Sequence, residues 1–358
     1  MLSLPLIALV VGLVALACGG DDEADLTAAN GSPASATNTQ VKKVTLRLAY
    51  FPNITHANPL IGVANGTYQR ELGENVKLEV KTFNAGPAEI DALFAGEIDA
   101  GFIGPNPAIN GYQKSNGEAL RVISGGASGG ALLIVRPEAN ITKATDLANK
   151  KIATPQLGNT QDVALRAYVL AAGLKTKETG GNVTILPTAN ADTLTLFKQG
   201  SIDGAWVPEP WATRLILEAG GKVFLDEKTL WPDGKFVTTN LIVSTKFLKD
   251  HPDAVERLLR AVVKTSLYIA ANADASKKLV NDEIKRITSA GLSTEVIDGA
   301  WKNLDFTYDP ITSSLKKSAD DAFKLGFLGD KAPHLSKIYD LLLLNKVLAE
   351  LKLPAVKE

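Results

Sequence analysis

The chain has 358 residues, with 38 Lys and Arg against 39 Asp and Glu, 3 His and a net charge of −1. That balance leaves no basic footprint and argues against nucleic acid as a partner; at about 150 residues per domain the length suggests two domains. Hydrophobic residues make up 45%, enough to fill full-sized cores, which excludes a disordered chain. Cys18 is the one cysteine, so the chain can form neither an internal disulfide nor a cysteine-built zinc or iron–sulfur site. His56, His251 and His334 lie far apart with no paired metal spacing. No metal and no cofactor are expected.

The first element in chain order is an address. Leu2 to Ala17 is nearly all apolar and uncharged, ends in small residues, and gives way at Cys18-Gly19-Gly20 to Asp21-Asp22-Glu23. This pattern reads as a secretory signal, and the lone Cys18 at its end resembles a bacterial lipoprotein box, in which the thiol is acylated. The alternative is an uncleaved membrane anchor, for which the run is just short of about 20 residues. Either places the remainder outside the cytoplasm, lipid-anchored to the cell membrane or periplasmic. Residues 19–40 hold one Leu and no aromatic residue, and read as a flexible tether.

The folded part starts at Val44. Val44, Leu46, Leu48 and Tyr50 alternate with other residues, as do Val76, Leu78 and Val80, and both runs read as strands. Helical stretches run from Pro59 to Leu72 and from Pro87 to Ala95, and Ala100 to Ile103 is a short apolar strand. The order recurs about a hundred residues on: a strand from Lys151 to Thr154, a helix from Thr160 to Ala172, a strand from Val183 to Leu186 and a helix from Ala191 to Gln199. Gly96-Glu97-Ile98-Asp99-Ala100-Gly101-Phe102-Ile103 is echoed by Gly200-Ser201-Ile202-Asp203-Gly204-Ala205-Trp206-Val207. Strands alternating with helices imply α/β architecture with parallel sheets, here in two lobes. Gly125 to Ala131 and Phe236 to Asn240 are the candidate crossovers. Leu258, Leu259, Val262, Val263, Ser266 and Leu267 form a helix face, Ile338 to Leu351 makes the last helix, and this helical tail is expected to pack back on the first lobe. The expected organisation is therefore 1–18 signal, 19–40 tether, 41–130 with 238–358 as lobe I, and 131–237 as lobe II.

In open parallel sheets, ligands bind beyond the carboxyl ends of strands, against helix N-termini. The turns at those positions carry Asn, Thr, Ser, Gln and Gly but no Lys or Arg. Short polar side chains and open N–H groups suit a dehydrated oxyanion. The same residues also cap helices routinely. The candidate ligand residues are Asn53, His56, Asn84, Gly86, Asn106, Ser128, Gly129 and Thr239 from the first lobe or its edge, with Asn159, Thr160, Gln161, Glu209 and Trp211 from the second. His56 reads equally as a turn hydrogen-bonder, Glu209 as a salt-bridge partner and Trp211 as packing. No Ser/His/Asp or Cys/His set is recognisable and no catalytic residue is assigned. Asp99 and Asp203 enter strands away from the carboxyl edge and read as structural.

At Leu48-Ala49-Tyr50-Phe51-Pro52-Asn53 to His56, Phe83-Asn84-Ala85-Gly86-Pro87, Gly96-Glu97-Ile98-Asp99, Gly104-Pro105-Asn106-Pro107, Gln156-Leu157-Gly158-Asn159-Thr160 and Asp203-Gly204-Ala205-Trp206-Val207-Pro208-Glu209-Pro210-Trp211, the chain resembles substrate-binding proteins of ABC importers in the nitrate/sulfonate/taurine group, closest to the aliphatic-sulfonate branch. The resemblance implies a type II periplasmic-binding-protein fold with two hinge strands. It implies a non-enzymatic monomer that closes on a small-molecule ligand and docks on a membrane permease with its ATPase. The ligand would be an aliphatic sulfonate or a related oxyanion such as taurine or nitrate. An acid at Glu209 could receive an ammonium, as in taurine, or an aminopyrimidine. Binders of a thiamin pyrimidine precursor or riboflavin, and a pyrimidine-synthesising enzyme of the same fold, are related alternatives; the enzyme's cysteine cluster is absent. A sensor or adhesion lipoprotein is a further alternative.

Overall fold

The computed structural model describes residues 43–358. Cys18, the signal and the tether lie outside the described residues. The first lobe opens with β1 (Val44–Tyr50), α1 (Ala57–Ala64), α2 (Thr67–Leu72), β2 (Val76–Thr82), α3 (Gly86–Phe94), β3 (Ala100–Ile103), α4 (Pro105–Lys114) and β4 (Leu120–Gly129). The chain then passes into β5 (Ala131–Val135), β6 (Lys151–Thr154), α5 (Thr160–Ala171), β7 (Thr184–Pro187), α6 (Asn190–Lys198), β8 (Gly204–Pro208), α7 (Trp211–Ala219) and β9 (Lys222–Asp226). It returns through β10 (Val237–Ser244) and continues as α8 (Thr245–Asp250), α9 (Pro252–Ala271), α10 (Ala273–Thr288), α11 (Thr294–Trp301), β11 (Leu304–Phe306), α12 (Thr312–Lys324) and α13 (Leu342–Glu350).

Two sheets result, with strand orders β11-β4-β10-β3-β1-β2 and β7-β6-β8-β5-β9. β2, β1 and β3 run parallel, and so do β7, β6 and β8. Each sheet is mixed rather than wholly parallel. A strand arriving from the other sheet must enter in the reverse direction, so β10 is antiparallel to β3 and β4, and β5 to β8 and β9.

The repeat in the sequence is a repeat in space. Asp99 accepts a hydrogen bond from the Arg47 N–H at 2.9 Å, and Asp203 from the Lys151 N–H at 2.7 Å; each pair is separated by 52 residues. The Asp99 and Asp203 N–H groups donate back to the Arg47 and Lys151 carbonyls at 2.9 and 2.8 Å. Asp99 thereby ties the entry of β3 to the middle of β1, and Asp203 the entry of β8 to the start of β6. Both are structural and sit at the amino ends of the parallel strands, opposite the edge where a ligand would bind.

Most expected elements match to within two residues. The helix expected over Pro59–Leu72 is broken into α1 and α2. Gly66 at φ +74° caps the start of α2, and Asn65 Oδ1 accepts the Thr67 N–H at 2.9 Å. The last helix starts at Leu342 rather than Ile338, because Val122 accepts and donates backbone bonds with the Ile338–Asp340 segment as an added bridge. The α9 face carrying Leu258, Leu259, Val262 and Val263 is fully buried, in one core with Leu46, Leu48 and Tyr50 of β1 and Leu344, Val347 and Leu348 of α13. Ser266 of the same face accepts from Asn58 Nδ2 at 2.8 Å. Among the described residues no helix is long and apolar enough to cross a membrane.

The first crossing between sheets, Gly129-Gly130, has φ of +76° and +69°. A Cβ on Gly129 would lie 2.6 Å from the Asn303 carbonyl oxygen, a backbone atom. Left-handed backbone costs an L-residue about 1–2 kcal/mol before any clash. Gly129→Ala is therefore expected to lower thermal stability by at least that amount. A melting curve superimposable on that of the parent would contradict this account of the crossing.

Candidate functional site

The carboxyl ends of the parallel strands in the two sheets meet around a polar cavity of about 20 Å³. From the first sheet come Phe51, Asn53, Thr55 and His56 after β1, Asn84 after β2, Gly104 after β3, and Thr238 and Thr239 of β10. From the second come Pro155 and Asn159 to Gln161 after β6, Asn190 after β7, and Pro208 at the end of β8. Strand-end logic puts most of them there: the parallel strands deliver their carboxyl ends to this side and each following helix opens toward it, while antiparallel β10 contributes from its amino end.

The N-terminus of α5 is the best-developed feature. The first turn of a helix leaves its N–H groups without intrahelical partners and carries the positive end of the dipole. Asn159 stands at the cap position with no side-chain capping bond. Buried Asp162 holds the turn in place: its carboxylate accepts from Thr154 Oγ1 at 2.9 Å, from the Gly158 N–H at 3.0 Å and from Arg166 Nε at 3.0 Å. Sequence reading passed over Asp162; an acid at the third position of a helix was the available signal.

Two polar atoms on the cavity wall are buried without partners, Thr160 Oγ1 and Asn190 Oδ1. A buried polar group left unpaired costs about 1–3 kcal/mol. Asn190 opens α6 and was also missed. The strand-end rule applied to the turn after β7 would have found it.

The wall carries no Lys, Arg, Asp or Glu. His56 adds no charge, because complete burial pushes its pKa down to about 3. Its Nδ1 accepts the Phe51 N–H at 3.3 Å, and its ring lies 4.4 Å from that of Phe51. Thr239 Oγ1 donates to the Thr55 carbonyl at 3.1 Å.

Of the candidate residues, Asn53, His56, Asn84, Asn159, Thr160, Gln161 and Thr239 are brought together in this wall. Gly86, Asn106, Ser128, Gly129, Glu209 and Trp211 are not. Gly86 packs under the Pro107 ring, where a Cβ would come within 2.4 Å of Cγ. Asn106 donates to the Ser318 carbonyl at 3.2 Å. Ser128 and Gly129 are paired in β4 with β11, Ser128 also with β10.

Glu209 is fully buried and its carboxylate is already satisfied. It accepts from the Thr213 N–H at 3.0 Å, Thr213 Oγ1 at 2.9 Å and Asn303 Nδ2 at 2.7 Å. Burial raises its pKa, against the opposing pull of these donors. The arrangement caps α7 and links the second sheet to the edge of the first. Trp211 sits beside the cavity and donates from Nε1 to Asn53 Oδ1 at 3.0 Å, a second tie across the cleft, with the Arg214 guanidinium 4.7 Å from its ring centre. Among the described residues, no group of three or more His, Cys, Asp or Glu side chains is placed to hold a metal ion.

The model of the NMT1-like family matches residues 39–281. The chain belongs to the NMT1-like family. It is 25% identical over 222 residues to a Brucella abortus (strain 2308) protein named as a binding protein, covering 62% of this chain and 66% of that one. The chain thus spans about two thirds of the length of that relative. A Bacillus subtilis (strain 168) protein named as an aliphatic sulfonates-binding protein is 25% identical over 284 residues, covering 77% of this chain and 80% of its own. The structure of the alkanesulfonate-binding protein SsuA from Xanthomonas axonopodis pv. citri, bound to MOPS, superposes with a TM-score of 0.68 at 16% identity, covering 82% of this chain and 96% of that chain. That likeness establishes the fold, two α/β lobes followed by a helical C-terminal region.

His56 generates a test of the cavity's neutrality. Folded, it titrates near 3; unfolded, near 6.5. Between those values the unfolded chain binds the extra proton, so this contribution is intact above pH 6.5 and is lost as pH falls toward 3. The loss is about 1.4 kcal/mol per pH unit within that window. His56→Gln should flatten the fall in melting temperature between pH 6.5 and 4.5; equal slopes in parent and variant would contradict a buried neutral imidazole.

Proposed function

We propose that the chain is the extracytoplasmic solute receptor of an ABC importer and captures a small organic oxyanion, an aliphatic sulfonate or a close relative, in the cavity between its two lobes. The observation that carries the reading is the cavity wall itself: donors from both sheets, the N-terminus of α5, an unpartnered Thr160 hydroxyl and no ionic side chain. The family membership and the printed name of the Bacillus relative support it. Neutral donors hold a weakly basic oxyanion through hydrogen bonds to its charge without a buried cation to desolvate. Asn190 joins them because its amide can turn Nδ2 inward as readily as Oδ1.

At about 20 Å³ the cavity has room for about one water-sized group. Loading therefore requires the lobes, 41–130 with 238–358 and 131–237, to part. The movement would bend β4 and β10, which lie side by side at the crossings. Ligand then favours closure because its contacts come from both lobes at once. The receptor delivers its solute to a permease and its ATPase, as a monomer held at the membrane by an acylated Cys18 or free in the periplasm. Asn53, His56, Asn84, Asn159, Thr160, Gln161 and Thr239 are the residues assigned to the ligand.

Calorimetric titration with methanesulfonate tests the reading. The parent should bind it. Thr160→Val, which keeps the shape and removes the hydroxyl, should weaken binding roughly 10- to 100-fold, the scale of a hydrogen bond to a charged group. No binding by the parent sinks the ligand class; unchanged binding by the variant sinks the site.

A further inference from the structure

A second cavity, of about 230 Å³, lies on the other side of Thr160. One wall is the face of α5 carrying Ala164, Ala167 and Tyr168. Leu230 and Trp231 also line it, with Lys317 and Asp321 of α12 at the solvent-exposed mouth. The small side chains at 164 and 167 leave a flat surface on the helix. The aromatic side chains of the lining are held firmly. Trp231 stacks on Phe236 at 5.3 Å between ring centres, and the Tyr168 ring meets Trp206 edge-on at 5.8 Å. The charges at the mouth are spoken for: Lys317 pairs with Asp321 at 2.6 Å while its ammonium lies 4.8 Å from the Trp231 ring centre. Glu227, at the inner end, accepts from Trp206 Nε1 at 2.9 Å.

Thr160 lines both cavities, is buried, and its hydroxyl has no partner. It therefore marks the place where a polar head in the small cavity and an apolar tail in the larger one would join. The small cavity cannot hold a tail. In the larger one the charged groups are already engaged, Lys317 with Asp321 and Glu227 with Trp206. We infer that the larger cavity receives the aromatic tail of the solute, and that the receptor selects an aryl sulfonate over a short alkyl one. The inference rests on the proposed oxyanion-receptor function. A ring presented to Ala164 and Ala167 gains contact over its face, and Tyr168 and Trp231 in the same lining favour a further ring.

The test is calorimetric titration of the whole chain with methanesulfonate, octanesulfonate and naphthalene-2-sulfonate, for the parent, Ala167→Phe and Trp231→Leu. The naphthalene compound should bind the parent at least roughly tenfold more tightly than methanesulfonate, since even one methylene in an apolar pocket is worth about 10- to 200-fold. It should also exceed octanesulfonate. Ala167→Phe should remove the advantage by filling the cavity, and Trp231→Leu should reduce it, while both variants keep the parent's affinity for methanesulfonate, which also reports that they are folded. If methanesulfonate binds and the naphthalene compound gains nothing, or keeps its gain in Ala167→Phe, the tail site is overturned and the receptor reading stands. If octanesulfonate binds best, the aromatic class is overturned. If no sulfonate binds the parent, the receptor reading fails and takes this inference with it.

Discussion

The double crossing of the chain between two sheets is the constraint on which the rest depends. β4 runs through Gly129-Gly130 into β5, and the return strand β10 pairs alongside β4. This forces the antiparallel strands into each sheet. It also points the carboxyl ends of β1, β2 and β3 at those of β6, β7 and β8. Helix N-termini from both sheets then converge without any further device. The aspartate ties at Asp99 and Asp203 join the entries of β3 and β8 to the neighbouring strands β1 and β6.

The cavity's chemistry follows from what that convergence leaves unpaired. Secondary structure absorbs most buried polar groups, but the opening turn of a helix cannot absorb its own. Asp162 secures the turn before α5 so that Thr160 and its neighbours need not shift to find partners. With His56 neutral and Glu209 committed to Thr213 and Asn303, the wall offers donors and no net charge. Such a wall discriminates by geometry more than by Coulomb attraction, and a ligand that fits poorly finds no countercharge to compensate. Glu209, through Asn303, and the Trp211–Asn53 bond instead tie the two sheets to each other.

Much of this was legible in the chain before its coordinates. The echo of Gly96–Ile103 in Gly200–Val207 signalled two like lobes, because the same tie between an aspartate and a neighbouring strand demands the same residues at the same spacing. Strand-end turns named Asn53, Asn84, Asn159 and Thr160, because parallel sheets dictate where such turns gather. What stayed hidden depended on long-range partners. Nothing local separates Asn106, which binds Ser318, from Asn190, which is left open. Glu209 reads as a salt-bridge partner or a ligand contact until Asn303, distant in sequence, is brought beside it. The break at Asn65-Gly66 is local and could have been read, since Gly at a helix end takes positive φ readily. The larger cavity is the least legible feature, because its walls come from α5, from the loop at Leu230-Trp231 and from α12.

The central claim is that a sulfonate is held by neutral donors at the meeting edges of the two sheets. A crystal structure of the chain grown with methanesulfonate tests it most directly. The account predicts the sulfonate oxygens within hydrogen-bonding distance of Thr160 Oγ1 and the first N–H groups of α5, with Asn190 turned toward them. A fully occupied sulfonate seated instead on Lys or Arg side chains, with the Thr160 hydroxyl still unpartnered, would contradict it.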